Sequence, residues 1–225
     1  MQGKLNKYNK SPIVIIIGFF FMHQFCFAQK PTKLFEIPDS VSKVRIWSVG
    51  SISSLGTGVT LGVLSKEWYS DYETVPFHFF NDNDEWLQMD KLGHGLASFY
   101  GGYYGYNVLR WSGVKEKKSI FYGGMYGFSF LLATEIMDGF SPAWGASGGD
   151  VLSNGVGMGL FMVQQLYFHK QIITPKFSYW PSKYADYRPS LLGNSHWNRW
   201  LKDYNGQVYW LSFSLSDMNV NPKFF

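Results

Sequence analysis

Cysteine is almost absent from this chain of 225 residues, which contains only Cys26. A single cysteine excludes an intramolecular disulfide and any metal site built on paired cysteines. The fold therefore depends on packing and polar contacts.

Several motifs of enzymes are also missing. The chain has no HExxH zinc motif, no P-loop, no dinucleotide-binding glycine fingerprint and no CxxC pair. We therefore expect no nucleotide partner and no organic cofactor.

The N-terminal segment has the three parts of a secretory signal peptide. Its basic start carries three lysines and no acid, an apolar run occupies residues 13–22, and Cys26-Phe27-Ala28 forms a small-x-small cleavage site. A lipoprotein signal would need a small residue in place of Phe25. We predict that residues 1–28 are removed and that the mature chain begins at Gln29. An uncleaved N-terminal anchor is the alternative.

Positive charge is scarce once this segment is removed. The whole chain has a formal net charge of +4, and three lysines leave with the signal peptide, so the mature chain is near +1. A nearly neutral net charge gives no argument for nucleic-acid binding, and we expect no nucleic-acid partner.

Four stretches contain no Asp, Glu, Lys or Arg, and each has the length of a helix. They are residues 46–65, 92–109, 119–134 and 151–168. Glycines recur at every fourth position, as in Gly101 and Gly105 or Gly123 and Gly127, and such small residues let helix backbones approach closely. The sequence predicts a mainly α fold, a glycine-rich bundle of about four helices.

The chain changes character after residue 170. A strand-like alternation places Tyr209, Leu211, Phe213 and Leu215 on one face and Val208, Trp210, Ser212 and Ser214 on the other, and residues 176–180 could supply the partner strand. The sequence thus predicts three parts: a signal peptide (1–28), a helical bundle (29–170) and a tail (171–225) that contains a small β-hairpin.

The distribution of charge bears on the location of the bundle. If an exported chain crossed a membrane four times, residues 66–89, with one lysine and six acids, would be cytoplasmic, and the basic residues 110–118 would lie outside. That arrangement inverts the positive-inside rule. We therefore favour a bundle on the periplasmic side, associated with the membrane or with envelope proteins. An integral membrane protein is the alternative.

Polar side chains lie at matching ends of three predicted helices, spaced three or four residues apart so that they share a helix face. If successive helices are antiparallel, all these side chains meet at one end of the bundle. The set is Asp90, Lys91, His94, Ser98, Glu135, Asp138, Asp150 and Asn154.

Two interpretations of this set remain open. It is either a hydrogen-bonded polar core that fixes the register of the helices, or a binding or catalytic site. Under the first, residues 147–150 form a capping box. Under the second, His94, Glu135, Asp138 and Asp150 form an oxygen-rich site for a divalent metal, or His94 is a general base. The sequence assigns no catalytic residue.

The same residues carry a family resemblance. The pattern Asp90-Lys91-x-x-His94, then Glu135-x-x-Asp138, then Asp150-x-x-x-Asn154, resembles the YfiM-like family of periplasmic lipoproteins, a domain of unknown function, over residues 86–165. It is more distantly similar to VanZ-like membrane proteins. The resemblance implies an envelope location and a compact helical domain, and it implies no particular activity.

We therefore expect an exported, non-catalytic, membrane-associated structural or binding protein. The alternative is a membrane-proximal metal-dependent hydrolase that acts on an envelope lipid or a related substrate.

Overall fold

Four long helices make up most of the computed structural model, which describes residues 34–214. They are α1 (Lys43–Trp68), α2 (Met89–Trp111), α3 (Glu116–Asp138) and α4 (Gly148–Phe168). Each contains one of the uncharged stretches, and Ser42 and Ser147 cap the starts of α1 and α4. The predicted signal peptide and Cys26 lie outside the described residues.

Successive helices run in opposite directions. Helices α2 and α3 cross where Gly101 meets Gly127 and Gly105 meets Gly123, and α4 contacts α2 where Gly157 meets the carbonyl of Gly95. These glycines let the backbones touch, because a Cβ added at Gly101 would lie only 2.7 Å from the Cα of Gly127.

A small aromatic core lies between α2, α3 and α4. Phe99, Ile120 and Phe161 are almost completely buried, and several tyrosines of α2 pack around them. The ring of Phe161 contacts those of Phe99 and Tyr103 edge-on. Apolar burial is concentrated in this three-helix unit.

The tail contains two antiparallel strands, β1 (Ile173–Tyr179) and β2 (Gln207–Phe213), with Ile173 opposite Phe213. Three short helices lie between them: α5 (Tyr184–Tyr187), α6 (Pro189–Leu192) and α7 (His196–Lys202). The hairpin runs along α2, where the hydroxyl of Tyr100 donates to the carbonyl of Pro175 at 2.9 Å. The predicted fold class, a helical bundle with a small C-terminal hairpin, is confirmed.

Helix α1 lies outside the three-helix core. It has no buried residue, although residues 46–65 carry no charge. Helices α1 and α3 are each long and apolar enough to cross a membrane, judged by length and composition alone, and about a third of the apolar window of α3 is buried inside the protein.

Candidate functional site

The candidate site lies at the end of the bundle where α1 and α3 end and α2 and α4 begin. We call the residues gathered there the polar cluster, and this end of the bundle the cluster end. The cluster comprises Tyr69, Asp82, Asp90, Lys91, His94, Glu135, Asp138, Ser147, Asp150, Asn154 and Tyr204.

His94 lies at the centre of the cluster. Its Nδ1 is 3.1 Å from Oδ1 of Asn154, and its Nε2 is 3.5 Å from Oε1 of Glu135 and 3.9 Å from Oδ2 of Asp90. Burial disfavours the charged ring, but the surrounding carboxylates outweigh burial and raise the pKa of His94. With Asn154 Oδ1 as acceptor, Nδ1 carries the proton, and in the neutral ring Nε2 presents a lone pair to the carboxylates.

Glu135 joins the end of α3 to the start of α4. Its Oε2 accepts a 3.0 Å hydrogen bond from the backbone N–H of Ser147, whose hydroxyl caps the N–H of Asp150. Glu135 thus takes the backbone donor that the acidic residue of a complete capping box would bind. The Asp150 carboxylate is therefore directed into the cluster, and burial raises the pKa of Glu135 to about 7.

Lys91 is buried, and two carboxylates compete for it. Its Nζ lies 2.8 Å from Oδ1 of Asp82 and 3.3 Å from Oδ1 of Asp150. Asp82 also accepts a 2.6 Å hydrogen bond from the hydroxyl of Ser147. Burial raises the pKa of Asp150 to about 6, even though His94 opposes that shift.

Asp138 has a neutral partner. A carboxylate at a helix C-terminus favours a cation as its partner because of the helix dipole, but here the hydroxyl of Tyr69, just after α1, donates to Asp138 at 2.6 Å. Burial raises the pKa of Asp138 to about 6.

The tail closes the cluster over Asp90. The hydroxyl of Tyr204 donates to Oδ1 of Asp90 at 2.6 Å, and the ring of Tyr204 packs edge-on against Trp86. Lys202 holds the tail against the end of α1, where its Nζ donates to the carbonyl of Glu67 and lies over the ring of Trp68.

Ser98 and Ser147 have structural contacts. The buried hydroxyl of Ser98 donates to the carbonyl of Asn154 at 2.7 Å and ties α2 to α4. Residues 145–149 have the G-x-S-x-G spacing of a serine-hydrolase elbow, but the hydroxyl of Ser147 caps α4 and donates to Asp82.

Sequence reasoning missed Tyr69, Asp82 and Tyr204. Tyr69 and Asp82 lie in the acidic connecting segment of residues 66–89, where Asp82 is one of six acids, and Tyr204 lies in the tail. The chain offers no spacing that would have selected them.

Negative charge is in excess in the cluster. Asp82, Asp90, Glu135, Asp138 and Asp150 face one lysine and one histidine. A buried carboxylate that lacks a cation either takes up a proton or attracts a cation. The raised pKa values of Glu135, Asp138 and Asp150 correspond to the uptake of protons.

Two buried polar atoms have no hydrogen-bond partner among the described residues. They are Nδ2 of Asn154 and Oδ1 of Asp150, although the latter is in charge contact with Lys91. Ligand atoms of Asp90, His94 and Asp150 all lie within 4.8 Å of one another, close enough to hold one metal ion. This trio shares His94 and Asp150 with the predicted metal set and adds Asp90.

Comparison with known proteins identifies one family model. Residues 78–165 match the family described as predicted periplasmic lipoprotein (DUF2279). The match contains α2, α3 and most of α4, with nearly all of the polar cluster, and it supports a periplasmic location in the cell envelope. No curated protein and no solved structure matches the chain.

Proposed function

We propose, with the match to a family of periplasmic lipoproteins as the premise, that this chain is an exported, membrane-associated binding protein. In this proposal the polar cluster binds one divalent cation on the periplasmic side and has a binding role, not a catalytic one.

One observation carries the cation proposal: five carboxylates converge on a single lysine and a single histidine. Without a bound cation the cluster has to hold protons to remain buried. A divalent ion would supply two positive charges and would let the carboxylates ionise near neutral pH.

The proposed ligands are Asp90, His94 and Asp150. One imidazole with carboxylate oxygens suits a borderline or hard ion such as Zn²⁺ or Mn²⁺. Asn154 would orient the His94 ring through its Nδ1, as outer partners of metal-bound histidines commonly do. Lys91 would remain paired with Asp82, the nearer of its two carboxylates.

The experiment is equilibrium dialysis of chelator-treated protein against Mn²⁺, Zn²⁺, Mg²⁺ and Ca²⁺, each alone. We expect one equivalent of a divalent ion to bind, and His94→Gln to weaken binding at least about tenfold because a ligand is lost. His196→Gln, an exposed histidine on α7, is the matched control. Two results would overturn the proposal. One is that the unmodified protein binds none of the four ions, and the other is that His94→Gln and His196→Gln bind with equal affinity.

A second candidate function is metal-dependent hydrolysis of an envelope lipid. The observation in its favour is that the Asp90 side chain is 34% exposed and that of His94 15%, so the cluster reaches the surface beside Tyr204. The test is release of phosphate or fatty acid from phospholipid vesicles by the cation-loaded protein. Turnover that is lost in His94→Gln and kept in His196→Gln would establish it.

A further inference from the structure

We infer that the exposed sides of α1 and α3, with the basic end of the bundle, form a surface that docks on an anionic phospholipid bilayer. We call this surface the docking side. The inference deepens the membrane association proposed above, and it is independent of cation binding.

The first observation is the apolar surface of α1. Trp47, Ile52 and Leu55 are each at least 70% exposed, and no residue of the helix is buried. Contiguous exposed apolar surface of this kind on a folded protein marks a site that another molecule covers.

The adjoining face of α3 continues this surface. Tyr122 and Tyr126 are exposed, and the hydroxyl of Tyr126 lies 3.0 Å from that of Thr57, which joins the middle of α1 to α3. Tryptophan and tyrosine are the residues that favour the boundary between lipid and water.

The second observation is the charge at the opposite end from the cluster, where α1 and α3 begin and α2 and α4 end. We call this the basic end. Its acids are Asp39 and Glu116, the latter 3.0 Å from His169. Its cations are Lys43, Arg45, Arg110, Lys115, Lys117, Lys118 and Lys170.

This charge identifies the occupant. Lysines beside an apolar surface are attracted to the phosphates of anionic lipids. A second copy of the chain is a less favourable occupant. In a parallel dimer that packed α1 and α3 of one copy against α1 and α3 of the other, the two basic ends would be neighbours and their like charges would repel.

The hairpin shows which side of the bundle stays in water. Strands β1 and β2 pair only with each other among the described residues, and they pack along α2. The open edges of a two-stranded sheet are not stable in hydrocarbon. We therefore place the α2 and hairpin side away from the lipid, so that the bundle rests on the bilayer by its docking side.

The test uses site-specific fluorescence on the exported protein. Cys26 is the only native cysteine and leaves with the predicted signal peptide, so a cysteine introduced into the mature chain is unique. An environment-sensitive dye is attached at Leu55→Cys on the docking side or, as the matched control, at the exposed Ser178→Cys on β1. Vesicles are made of phosphatidylcholine alone or with 30% phosphatidylglycerol, a composition of about one anionic lipid in three, sufficient to give a negative surface potential.

We expect the dye at residue 55 to shift to the blue with anionic vesicles and the dye at residue 178 to remain unchanged. Lys117→Glu with Lys118→Glu should weaken binding to anionic vesicles at least about tenfold, because reversing two charges lowers the net charge of the basic end by four units. Lys183→Glu with Arg188→Glu, an equal change at exposed cations of the tail and outside the docking side, should have little effect.

Three results with vesicles would overturn the inference. They are an absence of binding, equal binding to neutral and anionic vesicles, and a blue shift at residue 178 without one at residue 55. A concentration-dependent blue shift at residue 55 without vesicles would assign the surface to a second copy and would also overturn it. Cation binding is measured without lipid, so the two proposals fail separately.

Discussion

Tyr204 and Asp90 lie 114 positions apart in the chain, and the tyrosine hydroxyl donates a 2.6 Å hydrogen bond to Oδ1 of the carboxylate. The contact fastens the tail to the start of α2. Asp90 is the most exposed of the three proposed cation ligands, and its side chain is 34% exposed even with Tyr204 in place. Tyr204 therefore covers part of the carboxylate that solvent reaches most easily.

Removing this hydroxyl should destabilise the protein. Tyr204→Phe keeps the ring contact with Trp86 but deletes a hydrogen bond to a charged group, and we expect the free energy of unfolding to fall by about 1.5–3 kcal/mol. Urea denaturation measures the change. Tyr187→Phe, at an exposed tyrosine of α5, is the control and should have almost no effect. Equal stability of the two variants would contradict the result.

The cation-free protein should lose stability as the pH rises from about 5 to 8. Glu135, with a pKa of about 7, and Asp138 and Asp150, with pKa values of about 6, hold protons more tightly in the folded state than in the unfolded chain. His94, whose pKa is also raised, acts in the same direction. Since the folded state binds more protons over this interval, its free energy of unfolding falls with rising pH, by about 1–3 kcal/mol.

Urea denaturation in the presence of a chelator at pH 5, 6.5 and 8 tests this dependence. Asp82 and Glu116 have lowered pKa values and affect stability at lower pH, outside the interval. An added divalent cation should abolish the loss of stability, because the ion replaces the protons and binds more tightly as the pH rises. Stability that increased with pH in the chelator would contradict the prediction.

Two aspartates of the cluster should respond differently to the same substitution. Asp150→Asn removes a proposed ligand and should reduce cation affinity at least about tenfold, because neutral amides bind hard cations weakly. Asp138→Asn keeps an oxygen that can accept from Tyr69, lies outside the trio and should change affinity less than about threefold. Equilibrium dialysis of both variants measures the difference, and similar losses in both would exclude the trio as the binding site.

The glycines of α4 provide a test of helix packing. A Cβ at Gly157 would collide with the carbonyl oxygen of Gly95, whereas a Cβ at Gly159 would meet nothing within 4 Å. Gly157→Ala should therefore destabilise the protein by about 1–3 kcal/mol, and Gly159→Ala should stabilise it by up to about 1 kcal/mol through helix propensity. Thermal unfolding measures both changes. By the same reasoning Gly101→Leu, at the contact with Gly127, should lower the thermal stability more than Leu109→Ala.

The sequence predicts the helices well because absence of charge and spacing of glycine are local patterns. The four uncharged stretches lie within α1 to α4, and the paired glycines of α2 and α3 face each other. Helices α1 and α4 begin before their uncharged stretches because Ser42 and Ser147 cap them at those earlier positions. The connection between β1 and β2 was not predictable, since three short helices without strong periodicity replace a tight turn.

The cluster shows the limit of pattern reasoning more clearly. Helical spacing groups Asp90 with His94 and Asp150 with Asn154, and antiparallel packing brings the groups to one end. Spacing carries no information about Asp82 or Tyr69, because their positions depend on how the irregular segments fold back over the helix ends. The partner of Lys91 could therefore not be chosen from the sequence.

The close contact between Tyr204 and Asp90 also has a consequence for comparison among relatives. The matched region ends at residue 165, so the lid over Asp90 is supplied by a part of the chain that a protein sharing only that region would lack. In such a relative the carboxylate that corresponds to Asp90 would be open to water and would lack the tyrosine cover. For the cation proposed above, the tail would then govern how fast the ion enters and leaves, while the ligands on α2 and α4 would govern which ion is bound.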